Sequence, residues 1–265
     1  MKTSKYLILG GGMVAGYAAK QLVESGLKPG ELHILSADSS IPYERPPLSK
    51  GFLAGKDPEA SIFISADDFY RKHGIEVQLN CVADCVDPSR KTIHLRSGEE
   101  IGFGKLVVAT GAQVRRLAVP GADLAGVYYL RTLEDSKRIR EKAGSAKRAV
   151  VIGGGFIAME VTSVLAQKGI ETTMVLPEDR IWKRFFSATM SKFFEKYANA
   201  SVSAGHRVLC GARRTVCQKH QGSGTEGRRC DEIGRAAKWR GSGLRYGRGG
   251  HWGNPDHGST TQERN

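Results

Sequence analysis

Apolar positions in this chain fall into short runs of two kinds, and their order predicts the fold. Residues 5–9 (Lys-Tyr-Leu-Ile-Leu) form an unbroken apolar run of strand length and predict a buried strand. Gly10-Gly11-Gly12 follow, and apolar residues then recur at helical spacing from Val14 to Glu24, where Ser25-Gly26 stops the helix. Residues Glu31–Ser36 predict a second strand. A strand–helix–strand unit implies parallel pairing. Three prolines within 42–47 require an irregular loop. Ser65 with Asp68 reads as a capping pair opening a short helix to about Lys72. Residues 75–82 and 91–96 alternate as strands around a turn at Asp87-Pro88, and Lys105–Ala109 predicts another buried strand ending at Thr110-Gly111.

Pro120-Gly121 marks a boundary between lobes. Thr132 and Asp135 form a second capping pair for a helix running to Lys142. The opening pattern then repeats. Arg148–Ile152 predicts a strand, Gly153-Gly154-Gly155 a turn, Ile157–Gln167 a helix ended by Gly169, and Glu171–Leu176 a strand. Ser187–Tyr197 closes the series as an amphipathic helix with Met190, Phe193, Phe194 and Tyr197 at helical spacing. The expected fold class is therefore α/β, with two doubly wound parallel-sheet dinucleotide-binding units (Rossmann-like), the second incomplete. The expected domains are 1–118, 119–197 and a tail, 198–265.

Composition changes this picture at one place. The chain has 265 residues and a net charge of +13. Residues 198–265 hold 12 Lys and Arg against 5 Asp and Glu, 13 of the 33 glycines, and only six residues from Val, Ile, Leu, Met and Phe. Such a segment buries too little apolar surface to offset its ordering entropy and reads as a disordered tail. Its abrupt onset motivates the hypothesis that a frameshift or gene-model error replaced the native continuation. Five cysteines do not make a disulfide framework, so a cytoplasmic, reducing setting is the expectation, and no 18-residue apolar run predicts a membrane span.

The glycine turns carry the chemistry. In Gly10-x-Gly12-x-x-Ala15, one glycine permits the tight turn, the next admits a pyrophosphate to the backbone, and a small third residue lets helix and strand pack closely. The turn follows a strand, opens a helix and precedes a second strand with Asp38 just beyond it, which is the context such a motif needs. Gly153-x-Gly155-x-x-Ala158 repeats it, and Glu178 follows its second strand. A carboxylate there suits a ribose 2′-hydroxyl and repels a 2′-phosphate, which favours NADH over NADPH; a solvated loop acid is the plain alternative. Two dinucleotide units suggest two dinucleotides, and the economical chemistry is hydride transfer from a nicotinamide to a flavin.

The loop Pro42-Tyr-Glu-Arg-Pro-Pro-Leu-Ser-Lys50, with Ala109-Thr110-Gly111 and both glycine turns, resembles the FAD-dependent pyridine nucleotide-disulfide oxidoreductases, in the branch of monodehydroascorbate reductases and ferredoxin or rubredoxin reductases. The resemblance covers residues 5–197. It implies FAD at Gly10, Gly11, Gly12, Met13, Val14 and Ala15 (pyrophosphate), at Asp38 (adenosine ribose), at Arg45 and Lys50, at the backbone of Val82 (adenine), and at Ala109, Thr110, Gly111 and Arg131. It implies NADH at Gly153, Gly154, Gly155, Phe156, Ile157, Ala158, Met159 and Glu160, with Glu178 and Arg184 at its ribose. It further implies a Lys50–Glu160 pair beside the flavin ring, the two residues expected to act in catalysis. A lysine and an arginine in a proline-rich loop independently suit an anionic cofactor, whereas Glu160 near a helix start is favoured by the dipole in any case.

No cysteine lies in residues 1–80, so a disulfide relay is not expected, and Cys81 and Cys85 read as buried core thiols. Electrons should pass from flavin to an outside acceptor, either monodehydroascorbate or a small iron–sulfur protein. In the tail, Cys210, Cys217, His220 and Cys230 lack the paired Cys-x-x-Cys spacing of zinc knuckles, so no metal is expected. The Arg/Gly tract with Trp239, Tyr246 and Trp252 leaves a non-catalytic nucleotide-binding or nucleic-acid-binding protein as the alternative class. Oligomeric state is not readable.

Overall fold

Two parallel-dominated sheets organise the chain in a computed structural model that describes residues 1–183, 185–200 and 207–210, with only the backbone at 197–200 and 207–210. These residues belong to one unit, Met1–Ala212. The Cys217, His220, Cys230 and Arg/Gly readings of the tail lie outside the described residues, as does the side chain of Cys210.

The first sheet has the order β3-β2-β1-β6-β5-β4. Its strands are β1 (Lys2–Leu9), β2 (Leu32–Leu35), β3 (Glu76–Gln78), β4 (Ala83–Asp87), β5 (Thr92–Leu95) and β6 (Glu100–Val108). β1, β2, β3 and β6 are parallel, and β4–β5 is an antiparallel hairpin added on the β6 side. Helix α1 (Met13–Glu24) connects β1 to β2 and buries Ala15 and Ala19 against Ile8, Leu32 and Ile34. From central β1 the chain runs outward to β2 and β3, then returns to β6 on β1's other side. The carboxyl ends of β1 and β6 therefore flank the topological switch point, where open α/β sheets bind ligands.

Between β2 and β3 the chain makes two 3₁₀ turns (Pro46–Ser49 and Glu59–Ile62) with the short helix α2 (Gly51–Ala54) between them, then helix α3 (Asp67–Lys72). The predicted irregular loop is thus partly ordered by Pro46 and Pro47, whose fixed φ suits a tight turn. Helix α4 (Leu133–Ala143) leads to the second sheet, β7 (Arg148–Ile152), β8 (Glu171–Leu176) and β9 (Arg207–Cys210), in parallel order β7-β8-β9. Helix α5 (Phe156–Gln167) connects β7 to β8, and α6 (Ala188–Ala200) precedes β9. The internal repeat is therefore real: a glycine turn joins strand to helix in both units.

Five expectations need correction. The partner of β5 is β4, not the 75–82 segment, because 76–78 instead extends the parallel edge beside β2. The Ser65–Asp68 capping pair is absent: Ala66 occupies the cap position with no side-chain bond. The run Lys105–Ala109 is not a buried strand: Val108 is 65% exposed, since β5 covers only the start of β6. Cys85 is exposed while Cys81 is buried, because a register shift between Ala83 and Cys85 breaks the alternation that would have put both on one side. On α6, Met190 and Phe193 are exposed, and the inward face is instead Ser191, which donates to the Ile181 carbonyl at 2.7 Å, with Phe194.

The Thr132 capping box is present in full, with Asp135 N–H donating to Thr132 Oγ1 at 3.1 Å and Thr132 N–H to the Asp135 carboxylate at 2.9 Å. Thr132→Ala is expected to lower unfolding free energy by about 1 kcal/mol, with an unchanged m-value in urea.

His33 on β2 is buried. Desolvation pushes its pKa down despite the Glu76 carboxylate 3.6 Å away, with Lys2 and Glu99 also acting on it. Its folded pKa lies below the unfolded value of about 6.5, so the unfolded chain binds more protons between the two. This contribution to stability is complete above about pH 6.5 and is lost as pH falls through the folded pKa. The urea midpoint should fall on acidification through this window, and His33→Leu should flatten that part of the profile.

Candidate functional site

The switch point is narrow. A Cβ on Gly10, whose φ is +120°, would lie 2.2 Å from the Ala109 carbonyl oxygen. The turn after β1 therefore touches the turn after β6 backbone to backbone, and no side chain fits between them. Gly11 is closed in the same way, since its Cβ would meet Ser36 Oγ at 2.0 Å. Gly12 is the N-cap of α1; no side chain caps it and no acid lies in the first turn, so the leading N–H groups of Met13, Val14 and Ala15 donate to no side-chain partner among the described residues.

Two cations stand beside this helix end. Arg45 Nη2 would lie 3.9 Å from a Cβ on Gly12, and Arg131 Nη2 3.3 Å from one on Gly111. Arg45 donates to the Arg131 carbonyl, holding the two segments together. Burial, with the charge of Arg45, lowers the Arg131 pKa. No carboxylate forms an ion pair with Arg131 among the described residues. Two guanidiniums at an uncapped helix start, with glycines too tight for a Cβ, make a cradle for a dianionic pyrophosphate.

Asp38 lies after β2 at the rim of the same cradle. Its Oδ2 accepts from the Tyr43 hydroxyl at 2.7 Å and lies 4.0 Å from Arg45 Nη2. Beyond it, a cleft of about 330 Å³ is lined in part by Asn80, Cys81, Val82 and Arg96. Asn80 N–H donates to the Asp38 carbonyl at 3.0 Å, so the cleft and Asp38 adjoin. The Val82 carbonyl accepts from Arg96 N–H at 2.8 Å, which fixes the backbone at the cleft wall.

The structure brings together Lys50 and Glu160, 110 residues apart in sequence, at 2.9 Å. Sequence reasoning missed a third member: Ser49 Oγ donates to Glu160 Oε2 at 2.5 Å. Its position beside Lys50 in the loop was the available signal. Burial alone would raise the Glu160 pKa, but hydrogen bonds from Ser49 and Lys50 and the lysine's charge outweigh it, so the carboxyl sits below its ordinary range. The loop is held in place by helix α4: Ser136 Oγ donates to the Leu48 carbonyl at 2.8 Å, Lys137 pairs with Glu59 at 2.8 Å, and the Arg140 guanidinium lies 4.4 Å from the centre of the Phe52 ring.

The second turn repeats the construction. Gly153 has φ +135°, a Cβ on Gly154 would meet Leu176 Cδ1 at 2.7 Å, and Gly155 caps α5 with open space around it. Ala158 and Met159 pack on Met174, Leu176 and Ile181, whereas Phe156 and Ile157 are exposed. Phe156 stacks near Trp182 and Phe185, with ring centres 5.0 and 5.4 Å apart. Glu178, after β8, is half-buried and forms no ion pair among the described residues. Arg184 lies outside the described residues.

Comparison with known proteins agrees with this geometry. The family profile described as pyridine nucleotide-disulphide oxidoreductase matches residues 4–222. The chain belongs to that family. It is 38% identical over 211 residues to the peroxisomal monodehydroascorbate reductase 1 of Arabidopsis thaliana, covering 74% of this chain and 49% of the relative. It is 39% identical over 178 residues to the rubredoxin-NAD(+) reductase of Pseudomonas putida, covering 67% and 46%. Among solved structures, the ferredoxin reductase for the CYP199A2 system of Rhodopseudomonas palustris superposes with a TM-score of 0.70 at 34% identity, over 80% of this chain and 50% of that one. The chain thus spans about half the length of the curated relatives it matches. Family membership makes FAD and a pyridine nucleotide its implied cofactors.

The ion pair is half-exposed, so Lys50→Met should change stability by less than about 1 kcal/mol. The informative readout is the Glu160 titration by carboxyl-carbon NMR. In the wild type its midpoint should lie below the ordinary carboxylate value, and Lys50→Met combined with Ser49→Ala should move it upward. An unmoved midpoint would show that the pair exerts no control over the carboxyl.

Proposed function

We propose that this chain is the dinucleotide-binding part of an NADH-dependent flavoprotein reductase, with FAD on residues 1–118 and NADH on residues 119–197. The observation that carries this reading is the pair of uncapped, glycine-opened helix starts, α1 and α5, joined through the Ser49/Lys50–Glu160 contact. When bound, FAD supplies the hydride acceptor and the carrier of single electrons to an outside acceptor.

The chain's own groups then have separable tasks. The α1 amides, Arg45 and Arg131 neutralise and orient the FAD pyrophosphate. Asp38 accepts from the adenosine ribose, and the Val82 backbone meets the adenine. Glu160 holds Lys50 by charge and Ser49 by hydrogen bond, so the lysine stands at one place beside the flavin ring instead of sampling solvent. Gly153, Gly154 and Gly155 admit the second pyrophosphate to α5. Glu178 accepts from the NADH ribose and repels a 2′-phosphate.

The acceptor we propose is monodehydroascorbate or a ferredoxin- or rubredoxin-type protein, on the strength of the relatives' names. The proposed compartment is the cytoplasm, which suits free thiols at Cys81 and Cys85. Among the described residues no helix is long and apolar enough to cross a membrane.

The purified chain should quench flavin fluorescence on titration with FAD, and anaerobic NADH should bleach the bound flavin's visible bands. Gly11→Val should abolish uptake. A wild-type chain that remains colourless after incubation with FAD refutes the proposal. Glu178→Ala should narrow the preference for NADH over NADPH about tenfold, equivalent to ~1.4 kcal/mol, in the same bleaching assay.

A further inference from the structure

We infer that Tyr43 is the positioning residue for the ribose-binding carboxylate, and that through it this grip is tied to the docking of helix α4. The inference rests on the proposal that Asp38 holds the adenosine ribose of FAD. Tyr43 is 1% exposed, and its hydroxyl makes two bonds. It donates its single proton to Asp38 Oδ2 at 2.7 Å and accepts the Leu133 N–H at 2.9 Å. Leu133 is the first residue of α4, so its N–H has no partner within the helix. The hydroxyl is therefore used both as donor and as acceptor, joining the carboxylate after β2 to the first amide of α4.

The consequence for Asp38 is an asymmetry. Oδ2 takes Tyr43 and lies nearest Arg45, while Oδ1 carries no hydrogen bond from a described residue, on a side chain only 12% exposed. A carboxylate half-satisfied in this way presents one oriented acceptor oxygen, the arrangement a ribose hydroxyl requires. Burial and the Asp38 hydrogen bond raise the phenol pKa far above neutrality, so Tyr43 remains a donor across the working pH range. Arg45, with its guanidinium carbon 5.3 Å from the centre of the Tyr43 ring, fixes the ring from the other side.

The test compares Tyr43→Phe with wild type for two ligands: FAD, and an FAD analogue whose adenosine ribose lacks both hydroxyls. Dissociation constants come from flavin-fluorescence quenching. The expected result is an about tenfold weaker FAD affinity, the scale of a hydrogen bond to a charged group, with the analogue changed less than about twofold on the same scale. In an Asp38→Asn background, Tyr43→Phe should cost FAD no further affinity. Equal loss for both ligands would assign Tyr43 a structural role alone and overturn the inference, as would no loss for either. Wild type binding FAD and analogue equally would remove Asp38 from the ribose and the inference with it. Wild type binding neither would refute the FAD site itself. Should Tyr43→Phe fail to fold, 3-fluorotyrosine at position 43 keeps the ring and strengthens its donation; tighter FAD binding with an unchanged analogue is then expected, and no difference from wild type overturns the inference.

Discussion

The contact between the turn after β1 and the turn after β6 is the constraint on which the rest of this molecule depends. With room for no Cβ between Gly10 and the Ala109 carbonyl, the two turns close into one backbone surface. The start of α1 is thereby aimed at the switch point of the sheet, and its N–H groups and dipole converge there with no acid in the helix's own first turn. Arg45 and Arg131 stand together beside this helix start, joined by the hydrogen bond from Arg45 to the Arg131 carbonyl. A side chain at Gly10 would separate β1 from β6 and dissolve the cradle along with the central pairing of the sheet.

The Pro42–Lys50 loop turns this single site into a shared one. Its prolines restrict it, α2 anchors it with buried Phe52 and Leu53, and α4 clamps it through Ser136, Lys137 and Arg140. From this base it sends Arg45 toward the first dinucleotide unit and Ser49 and Lys50 toward α5 in the second. Energetically the Lys50–Glu160 pair is small, being half-exposed. Its importance is positional: a flexible four-carbon stem is held at one point. Tyr43 plays the same part at the other end of the loop, with a phenol bridging Asp38 and the first amide of α4.

Much of this was legible in the chain. The strands at 148–152 and 171–176 and both glycine turns follow from apolar runs punctuated by glycine, because local sterics alone decide them. The Thr132–Asp135 box was readable for the same reason, its two bonds spanning three residues. Ser65–Asp68 has the same pattern and forms no cap, since the chain before α3 leaves Ala66 at that position instead. The exposure of Val108 and Cys85 was not legible either. Each depends on which strand lies alongside, and a register shift of one residue reverses a side chain's face.

The sequence by itself determined that two glycine turns would open two helices and that the chain would be α/β. Those are properties of neighbours in the chain: backbone freedom at glycine, periodicity, and dipole direction. The Lys50–Glu160 pair was already implied by the family resemblance; only the tertiary structure decided that Ser49 joins it, that Tyr43 bridges the Asp38 carboxylate and the first amide of α4, and that Asp38 keeps one oxygen uncommitted. Those contacts join residues up to 111 positions apart. They exist because α4 and α5 pack on the proline loop, an outcome of burying apolar surface that local pattern does not encode.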